Sequence, residues 1–198
     1  MQLPQTAATS AELNDELRDI VSQLEHIRYQ AAGLTRNLSD AQFNWRPSPS
    51  QWSMGKCFEH LNLADTDAVQ LVSSAMQEAR SRRMLHQGPY RYGRFSHFLA
   101  GVMEPPPRRR SKAPARFVPP QEDVSAADVM TRFMSINAEL QKLARELEGI
   151  DLARVKVRSP LPLLKMSLGA RSQMTCAHDR RHLYQARQVR EDRRFPAA

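Results

Sequence analysis
Leu13, Leu17, Ile20, Leu24, Ile27, Ala31, Leu34 and Leu38 recur at intervals of four and three residues. That spacing lays one apolar stripe along an α-helix. A stripe of this length has to be covered, and the stripe of another helix is the surface that fits it. Two further stretches repeat the pattern. Cys57, His60 or Leu61, Ala64, Ala68, Leu71 or Val72, and Ala75 form a second stripe, and Val129, Phe133, Ile136, Leu140, Leu143 and Leu147 a third. Thr9 with Glu12 has capping-box spacing ahead of the first helix, which should close near Ser39-Asp40, before Pro47 and Pro49. Ser53 is placed to cap the second helix, which runs to about Leu85. Ser125 with Asp128 opens the third, and Gly149 ends it.

Between Gln87 and Pro120 the periodicity vanishes. Seven of the 13 prolines fall in residues 88–120, and Pro105-Pro106-Pro107 runs directly into Arg108-Arg109-Arg110. An ordered helix is not expected to pass through this stretch. Its aromatics Tyr90, Tyr92, Phe95, Phe98 and Phe117 predict a crossover that packs partly on the helices. After Pro160 and Pro162 a fourth helix is expected over about Arg171 to Arg190, with an inward series Leu168, Thr175, His178, His182, Gln185 and Val189. Strand signal is almost absent. The reading is all-α: a four-helix bundle of up-down-down-up type, one domain over 1–198, with a long Pro/Arg-rich crossover at 88–120 between helices two and three.

Charge and cysteine usage narrow the function classes. Residues 88–120 carry seven basic side chains and one acidic, so three quarters of the net charge of +8 lies in a loop. Groove-reading proteins place such charge on the element that enters the groove, so nucleic acid is not the expected partner. No apolar run approaches the roughly 18 residues that span a bilayer, and Met1 to Thr6 has no export signal, which predicts a cytoplasmic protein. Cys57 and Cys176, two thiols in a chain with ample core residues, call for no disulfide framework.

The fourth stripe is polar where a bundle buries its residues, and a buried unsatisfied polar group costs roughly 1–3 kcal/mol. His178 and His182, four apart, project from one helix face and can address a common atom. His60 is the other histidine on an inward face. Three neutral imidazoles suit Zn2+, Ni2+ or Fe2+ and leave a coordination position open. The alternative is a metal-free bundle in which the histidines hydrogen-bond one another. His178-Asp179-Arg180-Arg181-His182 differs from the zinc-protease pattern H-E-x-x-H by a carboxylate one methylene shorter.

Trp45-Arg46-Pro47, with Trp52-Ser53-Met54 and then His60-Leu61, resembles the W-x-P and W-S-[IM]-x(5)-H-[LI] segment of the DinB-like (DinB/YfiT) superfamily. Leu168-Gly169, followed by His178, His182 and Gln185, is similar to its closing L-G and H-x3-H-x2-Q pattern. The resemblance implies a four-helix bundle, often dimeric, with a divalent metal on three histidines; the matching positions are His60, His178 and His182. It also implies metal-dependent transferases and isomerases that use low-molecular-weight thiols on small-molecule substrates, and members with no known reaction. The expected function is a metal-dependent enzyme, a thiol S-transferase or a hydrolase, in which the ion activates water or a thiol. The alternative is a non-catalytic metal-binding or stress-associated module whose basic loop docks an acidic partner or nucleic acid.

Around that core, Cys57 is read as core filler in preference to a ligand, and Gln185 as a cap on the polar end of the core first and a support for a ligand or substrate second. Glu59 and Asp179 are left outside the site because adjacent helical positions point about 100 degrees apart, and Cys176 because, two residues before His178, it falls roughly on the opposite side of the helix. Trp45 and Trp52 are read as packing anchors first and as pocket-lining residues second. His26, His86 and His97 are read as surface residues. Arg91, Arg94, Arg108, Arg109, Arg110, Lys112 and Arg116 are read as a solvated loop, with anion recognition second.

Overall fold
A computed structural model of the chain describes residues 13–93, 101–106, 112–120, 123–159 and 164–197. It is mostly helical, with one small antiparallel hairpin. The long helices are α1 (Asp15–Thr35), α3 (Met54–Ser81), α4 (Ala126–Glu146) and α5 (Leu168–Arg190), and a short α2 spans Asp40–Asn44. Helices α1 and α3 each pack against both α4 and α5. None among the described residues is long and apolar enough to cross a membrane.

Helices α1 to α4 each start where a short polar side chain satisfies one of the first free amides, whereas Ser167 ahead of α5 makes no such bond. Asn14 accepts from the Leu17 amide at α1; Thr9 and Glu12 lie outside the described residues. Ser53 accepts from Lys56 and Ser125 from Asp128, as the sequence predicts. The stripes are buried: Leu17, Ile20, Leu24, Ile27 and Ala31 from α1 meet Val129, Phe133, Leu140 and Leu143 from α4 in one core. Phe58 of α3 sets its ring edge-on to Phe133 at 5.2 Å, and burying such a side chain is worth roughly 1.5–3 kcal/mol.

Four expectations need correction. The first helix ends at Thr35, and the chain turns through Asn37 (φ +58°) into α2, whose Ser39 and Gln42 form a reciprocal capping box. The third helix is followed by a hairpin, β1 (Lys156–Arg158) with β2 (Lys165–Ser167), in which Val157 faces Met166. Three-residue strands are too short for an alternating pattern to register, and this hairpin leads directly into α5, which therefore starts at Leu168 instead of Arg171. The second helix stops at Ser81, four residues before Leu85, with Arg83 in the left-handed region (φ +52°).

The crossover does pack on the helices. Tyr92 donates its hydroxyl hydrogen bond to Glu16 of α1, and the Tyr90 hydroxyl lies 2.9 Å from the Ile150 carbonyl. Glu104 pairs with Arg180, and Arg181 donates to the Val102 carbonyl at 3.2 Å, so residues 102–104 are fastened to α5. The stretch is not wholly without helix, because residues 101–103 form a helical turn just before the first of the three prolines, and Ala115–Phe117 forms a 3-10 turn. Phe95, Phe98, His97, Arg94 and Arg108 to Arg110 lie outside the described residues.

Candidate metal centre
Ser53 starts α3 so that His60 falls on its second turn facing α5, and α5 carries His178 and His182 one turn apart on the facing side. The three rings meet. His60 Nε2 lies 3.2 Å from His178 Nε2, and the His182 ring centroid is 4.4 Å from that of His60 and 4.6 Å from that of His178. One ligand atom from each lies within 4.8 Å of the others, so the group could hold a metal ion.

The tautomer of His60 follows from its partner. Its Nδ1 sits 2.7 Å from the Phe117 carbonyl oxygen, which can only accept, so Nδ1 carries the proton and the Nε2 lone pair faces the other two rings. The 3-10 turn of the crossover thus orients a ring on α3. Trp52 covers the cluster, 5.2 Å from the His60 ring and stacked at 5.9 Å on His182, so it lines the site, the second of the two roles considered for it. Trp45, by contrast, packs edge-on against Phe195 at 5.6 Å and remains an anchor.

The surroundings keep all three imidazoles neutral. Burial lowers the basicity of His60 against a raising influence from the Phe117 hydrogen bond. Burial, and next the charge that His60 would carry, brings His178 down to about 3. His182 lies well below the ordinary histidine value for the same reason, burial first and then His178 and His60. Gln185 stands beside His182 and opposes that shift. The contact falls short of a hydrogen bond: among the described residues His182 Nδ1 and Gln185 Oε1 are both buried without a partner.

Asp179 belongs to the interior, contrary to the expectation that left it aside. It is 0% exposed, and its Oδ1 lies 4.0 Å from His178 Nδ1. Asp65 of α3 reaches the same place, and Asp65, His178 and Asp179 form a second group whose ligand atoms lie within 4.8 Å of one another. Sequence periodicity gave no signal for Asp65. Burial pushes its carboxyl up to about 7 and raises Asp179 as well, with Arg171 counteracting in both.

The other candidates separate cleanly. Cys57 is buried and its thiol pushed up to about 12, which leaves it protonated core filler. Burial also raises the Cys176 thiol. Glu59 pairs with Arg132. His26 and His86 are exposed. Of the crossover cations, Arg91, Lys112 and Arg116 are exposed, and the Arg116 guanidinium lies 4.5 Å over the Phe117 ring.

A family model for the DinB superfamily matches residues 23–186, and the chain belongs to that superfamily. It is similar to the uncharacterized protein YuaE of Bacillus subtilis, with 20% identity over 157 residues, 79% of this chain and 88% of that protein. No solved structure is matched.

Proposed function
We propose that His60, His178 and His182 hold a divalent metal ion and that the chain is a metal-dependent enzyme acting on a small molecule. The observation that carries this reading is the convergence of rings from two helices, with Nε2 of His60 and His178 3.2 Å apart. Ligands about 2.0–2.1 Å from a tetrahedral ion stand roughly 3.3 Å apart, so the separation fits one. The donor set fits too: three neutral imidazoles, and a buried His182 Nδ1 with no partner among the described residues. Such an ion, when bound, would activate water or a low-molecular-weight thiol for attack on an electrophilic substrate.

The chain's own contributions follow from the contacts around the rings. The Phe117 carbonyl holds the His60 proton on Nδ1 and so keeps Nε2 free as a ligand atom. Trp52 shields His60 and His182 from bulk water. Membership of the DinB superfamily supports the same reading, as does the packing of α1 and α3 against α4 and α5, which we take to be a four-helix bundle of up-down-down-up order. The test is metal content after purification and Zn2+ loading. His182→Ala should lose at least tenfold in metal affinity while keeping the wild-type helical spectrum, and a folded variant that binds as tightly as wild type would refute the assignment.

A further inference from the structure
Behind the three-histidine cluster, the interior holds a feature the function above does not use. Asp65 of α3 and Asp179 of α5 are 2% and 0% exposed, and both adjoin His178. Neither oxygen of Asp179 meets a donor group among the described residues, and the Asp65 carboxyl is the side chain within hydrogen-bonding reach of it. Of the cations that act on Asp179, Arg180 donates to Glu104 and Arg171 to Thr175 Oγ1 at 2.5 Å. Two carboxylates buried side by side cost far more than either alone unless a cation or a proton lies between them.

The His178 ring supplies the remaining donor. Its Nε2 faces His60 at 3.2 Å, so its Nδ1 is left on the carboxylate side, 4.0 Å from Asp179 Oδ1. That gap is too long for a hydrogen bond. It is within the roughly 4.4 Å that can separate two ligands of one ion held at about 2.2 Å. We propose that Asp65, His178 and Asp179 form a second cation site, for a divalent first-row ion, with the His178 ring bridging to the three-histidine cluster as an imidazolate whose remaining N–H proton passes to solvent when the second ion binds. Two carboxylates and one imidazole suit Mn2+, Fe2+ or Zn2+ over the soft ions that thiolates select.

The shared ring gives the proposal a signature that neither site alone would produce. The full-length chain is dialysed against Zn2+, passed through a desalting column, and its metal counted by elemental analysis. Wild type should hold two ions per chain, Asp179→Asn and Asp65→Asn one, His60→Ala one, and His178→Ala none. Asparagine preserves the side-chain volume, and a circular-dichroism melt checks that each variant is folded; should Asp179→Asn fail that check, Asp65→Asn and the wild-type count decide. One ion in wild type, lost in His60→Ala and kept in the asparagine variants, overturns the second site and leaves the three-histidine reading standing. One ion lost in the asparagine variants and kept in His60→Ala supports the second site and overturns the three-histidine reading. No ion in wild type overturns both.

Discussion
His178 carries two neighbourhoods on one ring, with the His60 imidazole at Nε2 and a carboxylate near Nδ1. The two pull the stability of the metal-free protein in opposite directions with pH. Its folded-state value of about 3 is below the ordinary 6.5, so the unfolded chain takes up a proton that the folded chain refuses. The resulting stability is present above about 6.5 and is lost as pH falls toward 3. Asp65 behaves inversely. Its value of about 7 is above the ordinary 3.8, so its contribution is present at acid pH and is lost as pH rises through 7. In chelator-treated protein, His178→Ala should therefore show a shallower fall in urea midpoint between pH 6.5 and 4.5 than wild type. Asp65→Asn should gain on wild type at pH 8 and lose that gain by pH 4. Parallel profiles for wild type and both variants would contradict these environments. The sequence made the three histidines visible because polar residues on an inward stripe stand out. It could not reveal the Phe117 carbonyl, since a backbone acceptor has no side-chain signature, nor Asp179, whose contact depends on a rotamer.

At the scale of elements, glycines separate close packing from open space. A Cβ on Gly55, in the first turn of α3, would lie 2.8 Å from Asn44 Oδ1 and 2.9 Å from Val124 Cγ2. Asn44 is held in place by hydrogen bonds to the Val124 carbonyl and amide at 2.7 and 3.1 Å, so it cannot yield cheaply. Gly55→Ala should cost about 1–3 kcal/mol in chemical denaturation, the usual range for forcing volume into a packed site. Gly33, on the exposed side of α1, meets nothing within 4 Å. Gly33→Ala should stabilise by roughly 0.5–1 kcal/mol through helix propensity alone. Equal effects at the two positions would sink the packing argument. The same contrast explains what could be read along the chain. Long stripes in α1, α3 and α4 announce themselves by period, and Ser53 and Ser125 by the amides they cap. Helix α2 carries a capping-box spacing, Ser39-x-x-Gln42, but its five residues hold too little periodicity to mark a helix in the sequence. The hairpin escaped for the same want of length.

Across the whole molecule, the crossover joins parts that sequence separates. It fastens Tyr92 to α1, Glu104 and Val102 to α5, and Phe117 to His60. A stretch whose composition reads as a solvated basic loop thus reaches the innermost polar cluster, and only tertiary structure could bring the two together. The central claim is that the imidazoles of His60, His178 and His182 surround one shared cation. It is tested most directly by anomalous diffraction at the zinc edge from crystals of the full chain grown with Zn2+. The account predicts a peak within roughly 2.0–2.2 Å of a ring nitrogen of each of the three histidines. A map without density among the three rings, with the imidazoles hydrogen-bonded to one another instead, would contradict it.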